Sequence, residues 1–384
     1  MKLEIRREVS ITGASPVSAV TAIRKLTGLP MMAAVILTCG CGSVSTSSIR
    51  CPDDPVAKST RGYPDFSPYN ATPKGRVGSI PCTGPLTFYA TADPEQLGTH
   101  SYGSSLGGEE EGSRGIVYTL HGGFIDIAHV RKVVDWTVYH QVRIRHALDN
   151  GWNCIVLPSK EGSVYRIRFN YPSTWQGMTP ARRQQVVGAL SIRLAQRLAI
   201  IQTEWHEIAT WFGYSCTLYP EKPSAFTYDD MTSHLLGSKI AGLALHDGTH
   251  DFNSAVTYYL KRELDRLGAV PPDQTLKAVA MVKNKWWKNG FVIRRQFDIG
   301  ERNGLIEPWI VPGFPNGRTE ATHPFSIPSL KDVAGMDMSG IERVEVDPHL
   351  GVWSSMRKVL PGNPRVCRPT EDFPVLMRYI RAND

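Results

Sequence analysis

The amino-acid sequence predicts an α+β fold, in which a single, mainly helical domain carries a small antiparallel sheet and a β-hairpin. Several long stretches repeat apolar residues every three or four positions, which is the period of a buried helix face. Short β-branched runs bounded by glycine and proline lie between these stretches and are typical of strands. Because no internal repeat is present, these elements predict one domain rather than a repeat array.

The composition is that of an ordinary globular protein. The chain has 384 residues, of which 41% are hydrophobic and 21% are charged, so a sizeable core can form. The formal net charge of +7 is mild. No basic run with interleaved aromatic residues stands out, so the sequence argues against a nucleic-acid partner.

The first 40 residues have the pattern of a secretory signal peptide of the lipoprotein type. Two basic residues at positions 24–25 precede an uncharged apolar run at 29–37, which is followed by small residues. A spanning helix needs about 20 apolar residues, so this run is too short to be a permanent anchor. Cys41 follows Gly40, as in the lipobox of bacterial lipoproteins, and this resemblance implies cleavage before Cys41 and acylation of its thiol.

This pattern predicts a lipid-anchored protein on the periplasmic side of the bacterial cell envelope, where the lipid holds the chain at a membrane surface. The alternative is an ordinary signal peptide without a lipid. Residues 41–80 are rich in serine, proline, aspartate and glycine and lack a hydrophobic period, so they predict a tether. The globular domain is then expected over residues 81–384.

In the first half of the domain, residues 116–120 predict a strand, and residues 124–150 predict a helix that stops before a glycine. Residues 152–157 and 163–169 predict two more strands, the second with one wet face because its residues alternate. Thr179 precedes a proline, which predicts the start of a helix that runs to about residue 212.

In the second half, residues 227–230 have the spacing of a capping box and predict a helix that reaches about residue 245. Another helix is expected over 251–267. Residues 291–297 and 305–311 flank an Asn-Gly pair, which favours a β-hairpin between them. The chain after Pro312 is predicted to be rich in loops, with one short strand at 344–346.

Two stretches carry polar groups that are candidates for catalysis or metal binding. Residues 121–131 contain His121, Asp126 and His129, and the last two share a helix face with apolar residues. Residues 203–213 contain Glu204, His206 and Glu207 beside the apolar stripe of a long helix. A lone charge is costly in such a place, so a metal ion, an opposite charge or a bound proton is required.

The metal hypothesis places a divalent ion between the two helices, with Asp126, His129, Glu204 and Glu207 as ligands. Glu207, His206 and His121 are then candidate catalytic groups. Such a site can activate water for hydrolysis, and the exported setting favours hydrolysis over redox chemistry. A zinc-peptidase motif is excluded, because the position one turn after His206 holds Thr210.

Two alternatives remain open for these residues. The carboxylates can belong to a structural ion-pair network with Arg131, Arg197 or another basic side chain. A metal-free acid–base site can instead use His129 or His121 as the base, oriented by Asp126 or Glu207.

Residues 122–131 and 204–211, together with Cys41, resemble a bacterial family of lipoproteins of unknown function. The similarity extends over most of residues 80–315. The resemblance implies an envelope location but brings no activity, substrate or fold. The function expected from the residues is a metal-dependent hydrolase acting on an envelope substrate. The alternative is a non-catalytic envelope lipoprotein that binds a protein or cell-wall partner.

Overall fold

A long buried helix, α1 (Ile127–Asp149), lies at the centre of the fold in the computed structural model. It packs against two further helices, α2 (Pro180–Trp211) and α3 (Asp230–His246), which also contact each other. Because neighbours cover α1 on several sides, most of its charged residues are buried together with its apolar ones. Those charged groups must therefore find their partners on neighbouring elements rather than in water.

The structure describes residues 72, 73, 76, 78, 91–102, 114–159, 161–215, 221–317 and 319–384. The predicted signal peptide, Cys41 and most of the predicted tether lie outside the described residues. The described part contains seven α-helices and four small antiparallel sheets, which confirms the α+β, mainly helical prediction. Residues 41–384 form one compact unit.

Strands β1 (Ile116–Thr119) and β2 (Gly123–Asp126) form a hairpin that leads directly into α1. The predicted helix start near residue 124 is therefore wrong by three residues. Asp126 ends the strand and caps the helix, because its Oδ1 accepts hydrogen bonds from the backbone N–H groups of Ala128 and His129 at 2.7 and 3.3 Å.

The largest sheet has three strands in the order β3 (Cys154–Pro158), β4 (Val164–Phe169) and β9 (Glu342–Asp347). All three strands were expected from the sequence. The central strand β4 alternates buried and half-buried side chains as predicted, because one face packs on the helices.

The hairpin predicted between residues 291–297 and 305–311 is wrong. Strand β5 (Trp287–Lys288) pairs instead with β6 (Phe291–Val292), and β7 (Leu305–Ile306) pairs with β8 (Phe325–Ser326). An earlier Asn-Gly pair at 289–290 explains the difference. Both of its residues have positive φ, 50° and 83°, as a two-residue hairpin turn requires.

The remaining helices are α4 (Phe252–Leu267), α5 (Pro272–Met281), α6 (Trp353–Met356) and α7 (Pro369–Asn383). Helix α4 was predicted, and the other three were missed. Helix α7 lies in the region expected to be rich in loops. It begins at Pro369 and has Pro374 in its interior, where a proline argues against a helix. Among the described residues, no helix has both the length and the apolar character needed to cross a membrane.

Helices α1 and α3 approach closely at Gly237. A Cβ atom at this position would lie 2.4 Å from the carbonyl oxygen of Val130 and 3.0 Å from the Cβ of Val133. Both contacts belong to α1, whose backbone cannot move aside without disturbing the whole core. Only glycine therefore fits at this crossing.

We expect Gly237→Ala to lower the free energy of unfolding by about 2 kcal/mol, because the added methyl group overpacks the crossing. Gly188→Ala is the matched control, since Gly188 is also helical and a Cβ there would meet nothing within 4 Å. That control should leave stability unchanged or raise it by up to about 1 kcal/mol. Urea unfolding of both variants measures the difference. Equal effects would contradict the close approach.

Candidate functional site

A buried group of acids and histidines lies where α1 and α3 begin and α2 passes beside them. We call it the acid–histidine cluster, and it comprises Asp126, His129, Glu207, Asp229, Asp230 and His234. All of these residues are buried except His129, whose side chain is 18% exposed. The cluster therefore reaches solvent through one histidine.

Helix capping fixes two of the acids. Besides capping α1 through its Oδ1, Asp126 donates its backbone N–H to the hydroxyl of Ser233 at 2.9 Å. That hydroxyl in turn donates to the backbone carbonyl of Asp229 at 2.6 Å. Ser233 thus ties the start of α1 to the start of α3, and it holds Asp126 and Asp229 near each other.

The predicted capping box at residues 227–230 holds the side chains of Asp229 and Asp230 in place. The Oδ2 of Asp230 accepts a hydrogen bond from the backbone N–H of Thr227 at 2.6 Å. The hydroxyl of Thr227 donates to Oδ1 of Asp229 at 2.7 Å. One oxygen of each aspartate is thus engaged in local capping, and the other oxygen is left to the cluster.

His129 lies among these remaining oxygens. Its Nδ1 is 3.7 Å from Oδ2 of Asp126 and 3.4 Å from Oδ1 of Asp230. Asp126, His129 and Asp229 each offer one ligand atom, and these atoms lie within 4.8 Å of one another. The Oδ2 of Asp229 is buried and has no hydrogen-bond partner among the described residues. Carboxylate and imidazole groups at this separation form a possible divalent-metal site.

The acids are crowded enough to retain protons. Burial raises the pKa of Asp229 well above its ordinary value, and the charges of Asp230 and Asp126 raise it further. Burial likewise raises the pKa of Glu207, as do the charge of Asp230 and a hydrogen bond with its carboxyl group. Burial raises the pKa of Asp230 to about 7, although the hydrogen bonds from Thr227 oppose this shift. Burial and mutual repulsion therefore favour the protonated forms of these acids.

His234 supplies a second imidazole on α3. Its ring centroid lies 5.2 Å from that of His129, and its Nδ1 is buried without a partner among the described residues. Burial lowers the pKa of His234 well below the ordinary value, and positive charge on His129, Lys132 and His206 lowers it further. The ring is therefore neutral at physiological pH, which is the form that binds metals.

A histidine–glutamate pair stands beside the cluster. Nδ1 of His206 is 3.2 Å from Oε1 of Glu161, which lies just before β4. Burial disfavours the ionised form of Glu161, but the hydrogen bond and charge of His206 and the charge of Lys132 outweigh it and lower its pKa to about 2. Lys132 also lowers the pKa of Glu207 and of Asp230, so its ammonium group lies within electrostatic reach of both acids.

The segment before the domain also touches the cluster. Gly78 lies over the ring of His129, and a Cβ at this position would be 2.2 Å from Nε2. Arg76 is buried, and its Nε contacts Oδ2 of Asp135 on α1 at 2.9 Å. These two residues of the predicted tether therefore lie against the domain.

The structure brings together Asp126, His129 and Glu207, as the sequence suggested, and it places His206 beside them. Glu204 lies elsewhere on α2, where the charges that act on it come from Arg197 and Glu301. Three residues along a helix offset two side chains by about 60° around the axis and about 4.5 Å along it, which is enough for Glu204 and Glu207 to meet different neighbours.

His121 also lies apart from the cluster. It occupies the turn of the β1–β2 hairpin, whereas Asp126 lies at the other end of β2, three residue steps or about 10 Å from the turn. Its ring stacks on that of His323 with a centroid separation of 4.5 Å, and its Nδ1 is 2.8 Å from the carbonyl oxygen of Ala321.

Sequence reasoning missed four members of the site. Asp229 and Asp230 were interpreted only as part of a helix cap, and His234 and Glu161 were not singled out. One signal was available, because Asp230 and His234 are four residues apart and so share a helix face. No sequence pattern indicates that this face meets Asp126 and His129.

Fold and site together define an α+β protein with a buried carboxylate–histidine centre. Residues 71–308 match the family model described as "Protein of unknown function (DUF4056)", and the chain belongs to this family. The matched range includes every residue of the acid–histidine cluster. No curated protein and no solved structure matches the chain.

Glu204 should control stability in a pH-dependent manner. Burial raises its pKa to about 8, so its contribution to stability is complete below the unfolded pKa near 4.5 and is lost as pH rises towards 8. Glu204→Gln keeps the shape of the protonated acid. We expect the variant to match the wild type near pH 4.5 and to be more stable by about 4 kcal/mol at pH 8.

Urea unfolding at intervals between these pH values measures the effect. Glu320→Gln, in a loop, is the control and should change nothing across the range. A constant difference between the Glu204 variant and the wild type would show that Glu204 is ionised throughout.

Proposed function

We propose that this protein is a metal-dependent hydrolase of the cell envelope, in which Asp126, His129 and Asp229 hold a divalent cation. The observation that carries the proposal is the set of three ligand atoms within 4.8 Å of one another. The buried and unpartnered Oδ2 of Asp229 supports it, because an isolated carboxylate oxygen is costly to bury without a proton or a cation.

A cation would complement the negative charge of this cluster. Four carboxyl groups lie there, and the basic groups that act on them include His129, in contact with Asp126 and Asp230, and Lys132, which acts on Glu207 and Asp230. Arg131 donates to the backbone carbonyls of Leu97, Gly98 and Thr99. A divalent ion would stabilise the ionised form of Asp126 and of Asp229 together.

A divalent metal such as Zn²⁺, held by these three groups, would supply a Lewis acid that activates water. Asp230 is placed to accept a proton there, since its Oδ1 lies 3.4 Å from Nδ1 of His129. Burial and the charge of Asp230 raise the pKa of Glu207, so Glu207 is placed to hold a proton beside Asp230. His206, held by Glu161 and 21% exposed, is placed to donate a proton to a leaving group.

Metal binding is the first test. Wild-type protein purified without chelator should contain a divalent metal. Added Zn²⁺ or Mn²⁺ should raise the Tm, and at a concentration of a hundred times Kd it should raise the free energy of unfolding by about 2.7 kcal/mol. Asp229→Asn and His129→Gln should remove both properties. Glu204→Gln should retain them, because Glu204 lies outside the cluster.

Elemental analysis and thermal unfolding with and without EDTA provide the measurements. The metal centre would be excluded if the wild-type protein contained no metal and if its Tm did not change when divalent ions were added. The raised pKa of Glu207 and of Asp230 would then favour the metal-free acid–base alternative.

Catalysis needs its own test. Purified protein should hydrolyse at least one substrate class among chromogenic carboxylic esters, phosphate esters and peptides, and EDTA or Asp229→Asn should abolish the activity. A metal-bound protein that hydrolyses none of them would favour the non-catalytic role, in which the ion stabilises a module that binds a protein or cell-wall partner.

The envelope location rests on the sequence of residues 24–41. If Cys41 is acylated, cells fed radiolabelled palmitate should label the wild-type protein and should not label Cys41→Ala. Fractionation should then move the variant from the membrane fraction to the soluble periplasmic fraction. Equal labelling of both proteins would contradict lipidation at this residue.

A further inference from the structure

A strongly basic segment surrounds the β5–β6 hairpin, and we call residues 283–295 the basic hairpin. It contains no acidic residue. Its cations are Lys283, Lys285, Lys288, Arg294 and Arg295, and all but the half-buried Arg295 are exposed. A basic run with aromatic residues was not expected from the sequence, and the structure places this one at a β-hairpin.

Large apolar side chains are exposed on the same part of the molecule. Phe291 is 59% exposed and Ile293 is 52% exposed within the hairpin. Leu276 and Met281, on the helix that precedes it, are 44% and 42% exposed. Four of the seven large exposed hydrophobic residues in the described part of the chain thus lie between positions 276 and 293. Such a concentration indicates an interaction surface rather than scattered surface residues.

The backbone geometry presents these side chains outward. Lys288 pairs across the hairpin with Phe291, and Trp287 pairs with Val292. The first pair is exposed and the second is buried, because side chains alternate across a strand. The tight turn at 289–290 therefore carries a cation beside an exposed aromatic ring at its tip.

The hairpin is firmly attached to the domain. Trp286 packs against Phe124, Tyr228 and Trp309 with ring centroids 6.3, 5.1 and 5.5 Å away. The indole N–H of Trp287 donates to the carbonyl of Val279 at 2.9 Å. The two tryptophans thus anchor the hairpin in the core, while Phe291 and Ile293 remain exposed to water.

We propose that the basic hairpin binds the surface of an anionic phospholipid bilayer. Lysine and arginine side chains are attracted to anionic headgroups, and adjacent apolar side chains can enter the interface between headgroups and acyl chains. The outward face of the hairpin offers both kinds of group within a few residues. The inference is independent of the metal centre, because it uses none of the cluster residues.

A nucleic-acid partner fits this surface less well. Binding of single strands relies on aromatic rings that are available for stacking with bases. Trp286 and Trp287 are buried, which leaves Phe291 as the exposed aromatic ring of the hairpin. The other exposed apolar groups are the aliphatic Ile293, Leu276 and Met281, for which a lipid interface is the better environment.

The test uses the full-length chain with Cys39→Ser and Cys41→Ser, so that acylation cannot anchor it. This protein is mixed with vesicles of phosphatidylcholine alone or of phosphatidylcholine and phosphatidylglycerol in equal amounts, and the bound fraction is measured by sedimentation. We expect affinity for the anionic vesicles to be higher by about tenfold or more, and to fall as salt is added.

Two pairs of substitutions in this background test the hairpin. Lys285→Glu with Lys288→Glu should remove the preference for anionic vesicles. Phe291→Ser with Ile293→Ser should weaken binding by about tenfold, because the interfacial contacts are lost. These side chains are exposed, so thermal unfolding should confirm that both variants remain folded.

Matched controls lie on other surfaces. Lys331→Glu with Arg378→Glu makes the same change of charge at exposed sites, and Tyr258→Ser removes an exposed apolar group. Neither should alter vesicle binding.

Equal binding by the hairpin variants and the parent would overturn the proposal, because the contact with the vesicles would then lie elsewhere in the chain. Equal affinity for vesicles with and without phosphatidylglycerol would also overturn the proposal. The proposal would also be overturned if a single-stranded oligonucleotide bound the parent more tightly than vesicles do and if the hairpin variants lost that binding.

Discussion

Four carboxyl groups, those of Asp126, Glu207, Asp229 and Asp230, are buried together where three helices meet. The surrounding structure must compensate for the cost of burying them. Removing each ion from water costs several kcal/mol even after relaxation, so the group cannot remain as bare charges. Local hydrogen bonds satisfy one oxygen of each aspartate. Burial raises the pKa of Glu207 and of Asp230, which favours their protonated forms. The outward oxygen of Asp229 is buried without a hydrogen-bond partner among the described residues, so it needs a proton or a cation.

The core is built so that these groups stay in position. Gly237 lets α3 come close to α1, and the hydroxyl of Ser233 joins the first turns of both helices. Because the same hydrogen bonds that begin the helices also aim the carboxylates, the site is set by the most stable parts of the fold. Preorganisation of this kind is what a metal or acid–base centre requires, since reacting groups must not move when charge develops.

Local sequence signals predicted most of the secondary structure but only part of the site. The apolar periods located α2 and α4, the capping-box spacing located α3, and alternation located β4. Those signals are local, whereas the pairing of β7 with β8 and the meeting of α1 with α3 depend on distant contacts. Asp229 illustrates the limit, because its capping role was visible in the sequence and its nearness to His129 was not. Glu204 shows the opposite error, since helical spacing alone placed it beside Glu207.

The most direct test of the account is a crystal structure of the protein soaked with Mn²⁺ and measured for anomalous scattering. The account predicts one strong anomalous peak in contact with carboxylate oxygens of Asp126 and Asp229 and with the ring of His129. A map without a peak at this position, in crystals where the three side chains are well ordered, would contradict it.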